Sequence, residues 1–151
     1  MTRMARRTFF SFHYQRDIFR VNQIRNIPEV IKCAAAGFQD ASLWERARTT
    51  SEAAVHRLID EGLGGTSVTV VCIGAKTAGR KYINYEIRQS IARGNGLLGL
   101  HIHHMKNQFA LPDAAGDVPA QLVRGGYKVY KYVDGHILST WIEAAARDAG
   151  R

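Results

Sequence analysis

One segment, GAKTAGRKYINYEIRQSIARGNG from Gly74 to Gly96, holds a single acidic residue, Glu86, among basic and aromatic neighbours. Ile83, Ile87 and Ile91 recur in it every fourth residue, so it reads as a helix starting near Arg80, with Glu86 on the flank of an apolar stripe. The Glu86 side chain leans toward the helix N-terminus. Such an acid serves either the helix, through an ion pair with Arg93 or the dipole of an early turn, or a ligand at that N-terminal end. Three other clusters carry reactive types: HYQRD (His13 to Asp17), AKTAGRK (Ala75 to Lys81) and HIHHMK (His101 to Lys106). Asp17 fits substrate contact or the N-cap of a following helix. His101 and His103 share a strand face, but no cysteine or clustered carboxylate accompanies them, so no metal site is expected. The chain reads as having neither a GxxxxGK[ST] phosphate loop nor a GxGxxG cradle, so any nucleotide must be held differently.

These clusters need a scaffold. RTFFSF, Arg7 to Phe12, is rich in aromatic and β-favouring residues and reads as a first strand. Ile18, Val21 and Ile24 fall on one helical stripe directly after it. Pro28 and Gly37 interrupt IPEVIKCAAAGFQDASLWERART, whose apolar residues fit no single period, so it reads as a loop with short elements. Val55, Leu58, Ile59 and Leu63 form a second helical face, with Gly62 or Gly64 as the expected terminator. TSVTVVCIG is an unbroken apolar run, the pattern of a parallel strand buried on both faces, which predicts Val68 to Ile73 in the sheet interior. The Ile83 helix follows and stops at RGNG. GLLGLHIHH then reads as a strand, YKVYKYV as a half-exposed edge strand, and Leu138, Trp141, Ile142 and Ala145 as the core-packing stripe of a last helix.

The alternation predicts one α/β domain over residues 1–151, a doubly wound, mostly parallel sheet of flavodoxin-like type with helices on both faces. Ligands of such sheets bind outside the carboxyl ends of the strands. Phe12 to Tyr14, Thr77 to Lys81 and His103 are therefore expected on one concave rim. Composition agrees with a single core: 151 residues, 46% of them hydrophobic. Cys33 and Cys72 are too few for a disulfide framework and read as buried small hydrophobes in a reducing compartment. No run approaches a membrane span, and no apolar signal segment follows Arg3, Arg6 and Arg7, so a cytoplasmic protein with no membrane partner is expected. The net charge of +8 favours anionic partners without choosing among nucleic acid, an acidic membrane surface and phosphorylated small molecules. FFSFHY lacks the paired acids that would hold Mg²⁺ in a receiver-like protein.

Taken together and in order, FFSFHYQRDIFRVNQIRN, GTSVTVVCIGAKTAGRKYINYEI, GNGLLG and STWIEAAARDAGR resemble the TIR-like domains of the Thoeris antiphage defence system, in its signal-producing B component. The resemblance covers nearly the whole chain. It implies a TIR-like fold and an enzyme that takes NAD as substrate, with no further cofactor, releases nicotinamide, and makes a cyclic ADP-ribose isomer for a separate effector protein. A phage-derived trigger, a homo-oligomer and low basal activity are further implications. The catalytic glutamate of enzymatic TIR domains, on the helix after the central strand, corresponds to Glu86 in YINYEI. One acid suffices for such chemistry, because the pyridinium departs as neutral nicotinamide without a general acid, and a carboxylate can hold ribose hydroxyls and oppose the oxocarbenium charge. With NAD as substrate, Arg20, Arg80 and Lys81 would suit the pyrophosphate by their charge and Phe12 or Tyr14 a stacked ring, with His13, Asp17, Thr77 and His103 expected to line the crevice at the strand ends. Two other functions share the fold, a non-catalytic TIR-like signalling or assembly module and a basic nucleic-acid-binding protein. Nicotinamide release with and without Glu86 separates out the first, and salt-dependent DNA binding the second.

Overall fold

The computed structural model describes residues 6–25 and 47–151. Cys33 and most of the interrupted segment lie outside the described residues. Strands β1 (Thr8–Ser11), β2 (Val68–Ile73), β3 (Gly96–His101) and β4 (Val129–Lys131) form a sheet in that order, with every neighbouring pair parallel. Around it lie helices α1 (Tyr14–Arg25), α2 (Glu52–Leu63), α3 (Lys81–Ala92), α4 (Ala120–Arg124) and α5 (Gly135–Asp148), and residues 47–50 are helical as well. None is long and apolar enough to cross a membrane.

The unbroken apolar run takes the interior position its composition calls for. β2 pairs with β1 from Thr8↔Val68 to Ser11↔Val71 and with β3 from Val68↔Gly96 to Ile73↔His101, and all six of its residues are buried. Side chains alternate across a strand. Val68, Val70 and Cys72 therefore join Leu98, Leu100 and the α5 residues Leu138, Ile142 and Ala146 in one core cluster, whereas Val71 and Ile73 join Ile83 and Ile87 of α3 and Leu122 of α4 in another. Helices cover both faces, and each aliphatic side chain so buried contributes roughly 1.5–3 kcal/mol.

A polar chain inside the apolar packing fixes the rotation of α3. Thr69 Oγ1 and Ser90 Oγ lie 2.7 Å apart, Ser90 donates to the Glu86 carbonyl at 2.7 Å, and Asn95 Nδ2 donates to Thr66 Oγ1 at 2.9 Å. These bonds hold the helix with the Glu86 side of its surface turned inward.

Several local expectations change. α1 begins at Tyr14, so Asp17 lies within its first turn and does not cap it. The left-handed glycine after α2 is Gly65, at φ 77°; Gly64 sits at the C-cap with φ −57°, and Gly62 is buried within the helix. Ile91 is 43% exposed, because a four-residue spacing overruns the 3.6-residue turn by about 40° per step and carries it away from Ile83 and Ile87. On α5 the fully buried set ends at Ala146, while Trp141 is only partly buried and stacks on Tyr130 at 4.1 Å and 7°. Gly94, Gly96 and Gly99 in GNGLLG do carry GxGxxG spacing, but they leave a helix and open a strand, the reverse of the strand-to-helix turn that cradles a pyrophosphate. Gly94 supplies φ 76° for the turn, and a Cβ on Gly96 would collide with the Ala145 carbonyl of α5.

Candidate functional site

The end of β1 and the start of α1 deliver Phe12, His13, Tyr14 and Gln15 to a small cavity of about 70 Å³. Arg80, the residue at the N-cap of α3, closes it from the other side together with Tyr82, Ile83 and Glu86. Arg48 completes the wall. The cavity sits at the carboxyl end of β1, where an open parallel sheet presents ligands to the first turns of its helices.

Glu86 is the chemically unusual group there. It is 1% exposed, and its Oε2 has no hydrogen-bond partner. The surface ion pair with Arg93 does not form, and among the described residues no cation pairs with this carboxyl. Burial pushes its pKa well above the ordinary carboxylate range, opposed only in part by Ser11 beside it. The Ser11 hydroxyl is near enough to lower that pKa, but it completes no hydrogen bond of good geometry. A buried polar atom left unpaired costs roughly 1–3 kcal/mol. Packing against α2 and the sheet sustains that cost, as is common where a group is kept for chemistry.

The neighbours combine a neutral imidazole and aromatic rings with the Arg80 and Arg48 guanidinium groups. Burial, then Arg80 and Arg16, hold the His13 pKa below its usual value, so its ring is neutral at neutral pH. Phe12 and Tyr14 lie 6.0 Å apart at 29°, with the Arg25 guanidinium 5.5 Å from the Phe12 centroid. Both aromatic rings are buried, at 3% and 9% exposure, so stacking on a ligand requires them to move.

The other residues expected on the rim lie elsewhere. Arg20 and Asp17 form a buried pair at 3.1 Å, and Arg20 also donates to the carbonyls of Met105 at 2.8 Å and Leu111 at 3.1 Å. Together with Arg16, which grips Asp113 through two hydrogen bonds, they clamp the loop after β3 onto α1. Thr77 Oγ1 accepts from the Gly74 N–H at 2.9 Å and shapes the turn after β2. Lys81 points outward to Glu52 at 2.8 Å. His103 packs edge-on between His101 and His104, at 5.7 and 5.4 Å, away from the cavity. Among the described residues no group of three ligand types could hold a metal. Phe12, His13, Tyr14, Arg80 and Glu86 thus meet in one cavity, whereas Asp17, Arg20, Thr77, Lys81 and His103 do not line it.

Sequence reasoning left out Gln15, Arg48 and Tyr82. Tyr82 stands four residues before Glu86, on the same helical face, so its spacing did carry a signal. Arg48 falls in the stretch without periodicity and gave none; its guanidinium is accepted by the Gln15 amide oxygen when that amide is oriented to satisfy both.

The family model for the Thoeris protein ThsB, TIR-like domain, matches residues 9–107, a span that includes every residue around the Glu86 cavity. Over 118 residues the chain is 48% identical to the Bacillus cereus (strain MSX-D12) protein named "Putative cyclic ADP-D-ribose synthase ThsB1". That alignment covers 77% of this chain and 62% of the relative, so the chain spans less than two thirds of the relative's length. With the parallel sheet, the helices on both faces and these matches in agreement, the chain belongs to the TIR-like domain family of the Thoeris protein ThsB.

Proposed function

We propose that this chain cleaves the nicotinamide–ribose bond of NAD and closes the remaining ADP-ribose into a cyclic signal for antiphage defence, with Glu86 as the catalytic residue. The observation that carries the reading is the buried Glu86 carboxyl, whose Oε2 has no hydrogen-bond partner, at the wall of a cavity rimmed by aromatic rings, a neutral His13 and Arg80. Support comes from the family and from the synthase name of the relative.

The chemistry follows from charge. The bond between C1′ and the pyridinium nitrogen breaks with its electron pair passing to nicotinamide, which leaves neutral, and positive charge grows on the ribose ring. A carboxylate beside that ring stabilises the charge in a site with little water. A nucleophilic atom of the same ADP-ribose then bonds to C1′ and releases a proton, for which the Glu86 carboxylate is the acceptor at hand. Capture by water instead gives ADP-ribose. Glu86 must ionise first, and the cationic nicotinamide entering beside it favours ionisation just as burial opposes it.

At about 70 Å³ the cavity is well below the roughly 300–1,000 Å³ of small-molecule pockets, so the substrate needs the Phe12 and Tyr14 side to open. That fits an enzyme with low activity until it is triggered, whose product acts on a separate effector. Mass analysis of cells expressing the chain, before and after phage challenge, tests the reading. The expected result is free nicotinamide together with an ADP-ribose product lacking one water. Challenge that leaves both unchanged, in cells where the protein is folded and abundant, would reassign the chain to non-catalytic signalling.

A further inference from the structure

The larger cavity among the described residues lies at the other end of the sheet, at the amino ends of β3 and β4, and holds about 500 Å³. Its walls come from the end of α3, the first residues of β3, the approach to β4 and one side of α5. That volume is within the usual range for small-molecule sites.

Its polar feature is a gap in the sheet. β3 has six residues, but its ladder to β4 starts only at Gly99↔Val129. The main-chain groups of β3 that face β4 recur every second residue: Gly99 N–H donates to the Lys128 carbonyl at 2.9 Å, and the His101 carbonyl accepts from Tyr132 N–H at 3.0 Å. Leu97 has the same parity, so its N–H and C=O point to the same side. Among the described residues no backbone hydrogen bond from the 126–128 segment reaches them. Leu97 is 4% exposed and lines the cavity. A donor and an acceptor therefore stand side by side on a buried strand edge, where unpaired main-chain groups are rare.

The rest of the lining narrows the chemistry. Tyr130 and Trp141, stacked in parallel, present an aromatic face to which a further flat ring can add. A wholly apolar ligand would leave both Leu97 groups unpaired. Among the described residues the lining carries two charges, Lys128 and Asp148, one of each sign and both exposed, and the nearby Arg151 guanidinium is taken up by the Arg93 and Gly94 carbonyls and Asn95 Oδ1, so the lining itself offers a phosphate no net attraction. We propose that this cavity is a second ligand site, separate from the Glu86 cavity, for an uncharged planar heterocycle with an acceptor beside a donor on one edge, the chemistry of a free nucleobase or a cyclic amide. GNGLLG gains a role in it: Gly94 and Gly96 line the cavity and add no side chain that would fill it.

Amide chemical shifts of the isotope-labelled full chain, titrated with adenine and with uracil, test the proposal. At least one of the two is expected to shift the Leu97 and Gly99 N–H signals and the Trp141 indole saturably, while Phe12 to Tyr14 stay unmoved. The same shifts are expected in Glu86→Gln. Ala144→Phe fills the cavity from α5 outside the buried Leu138, Ile142 and Ala146 set, and should weaken binding at least tenfold. Shifts at Phe12 to Tyr14 in place of Leu97, no saturable shift with either probe, or adenosine monophosphate binding more tightly than adenine would each overturn the proposal. So would binding that persists in folded Ala144→Phe. If that variant fails to fold, the shift map of the unaltered chain decides.

Discussion

Asp17 and Glu86 are both carboxyls, both buried at the carboxyl end of the sheet, and burial raises the pKa of each. They differ in their neighbours. Asp17 meets Arg20, whose other nitrogens hold the Met105 and Leu111 carbonyls, so its charge is part of a clamp between α1 and the loop after β3. Among the described residues Glu86 has Ser11 beside it and no cation. Burial alone therefore does not mark a residue for chemistry; the role proposed for Glu86 rests on burial without a cation at the wall of a cavity.

The largest effect expected from this contrast is on stability. Arg20→Met leaves Asp17 as an uncompensated buried acid and frees two carbonyls of the clamped loop, so it should cost about 3–5 kcal/mol. For a domain of this size that lowers the melting temperature by on the order of 10 °C, measurable by calorimetry. Adding Asp17→Asn should recover part of the loss. An unchanged melting temperature in Arg20→Met would break the comparison.

Glu86→Gln should act in the opposite direction. The folded-state pKa of Glu86 is raised, so between its unfolded value and that raised value the folded protein holds the proton more tightly than the unfolded chain. The resulting stability is fully present below the unfolded pKa and is lost as pH rises through the folded one. Glu86→Gln has no such loss. It should melt above the wild type at pH 8, with the gap closing toward pH 4 in melts across that range. A gap of opposite sign would show that Glu86 is ionised and paired after all. The same ionisation predicts that wild-type nicotinamide release falls as pH is lowered through a value above the ordinary carboxylate range, as a pH–rate profile would show.

The smallest effect belongs to Lys81. Its pair with Glu52 is exposed and screened, and Lys81→Met should leave both melting temperature and nicotinamide release unchanged. A loss of activity at constant stability would return Lys81 to the substrate.

The sequence made some of this legible and hid the rest for physical reasons. β2 could be read because a strand buried on both faces has no polar positions to blur it. Glu86 could be placed on the flank of a helical stripe by spacing, but its complete burial depends on Ser11 at the end of β1, on Phe12 just beyond it and on the Thr69–Ser90–Asn95 bonds that set the helix's rotation, none of which is a near neighbour in sequence. Arg20 resembled a phosphate-binding residue because its real partners include Met105, 85 positions away. A side chain's charge is visible in a sequence, whereas the carbonyls that absorb it are not. Likewise Asp17 suited an N-cap until the helix proved to begin three residues earlier, at Tyr14.

The central claim is that Glu86 is buried for chemistry and at the expense of stability. Its most direct test compares the rate of nicotinamide release from NAD by wild type and Glu86→Gln, in phage-challenged cells or with activated protein at equal abundance. Loss of one preorganised electrostatic contact predicts a fall of about 10²- to 10³-fold, with a melting temperature at neutral pH no lower than wild type. Equal rates in the two proteins would contradict the claim, and Glu86 would then be a buried acid with no part in the reaction.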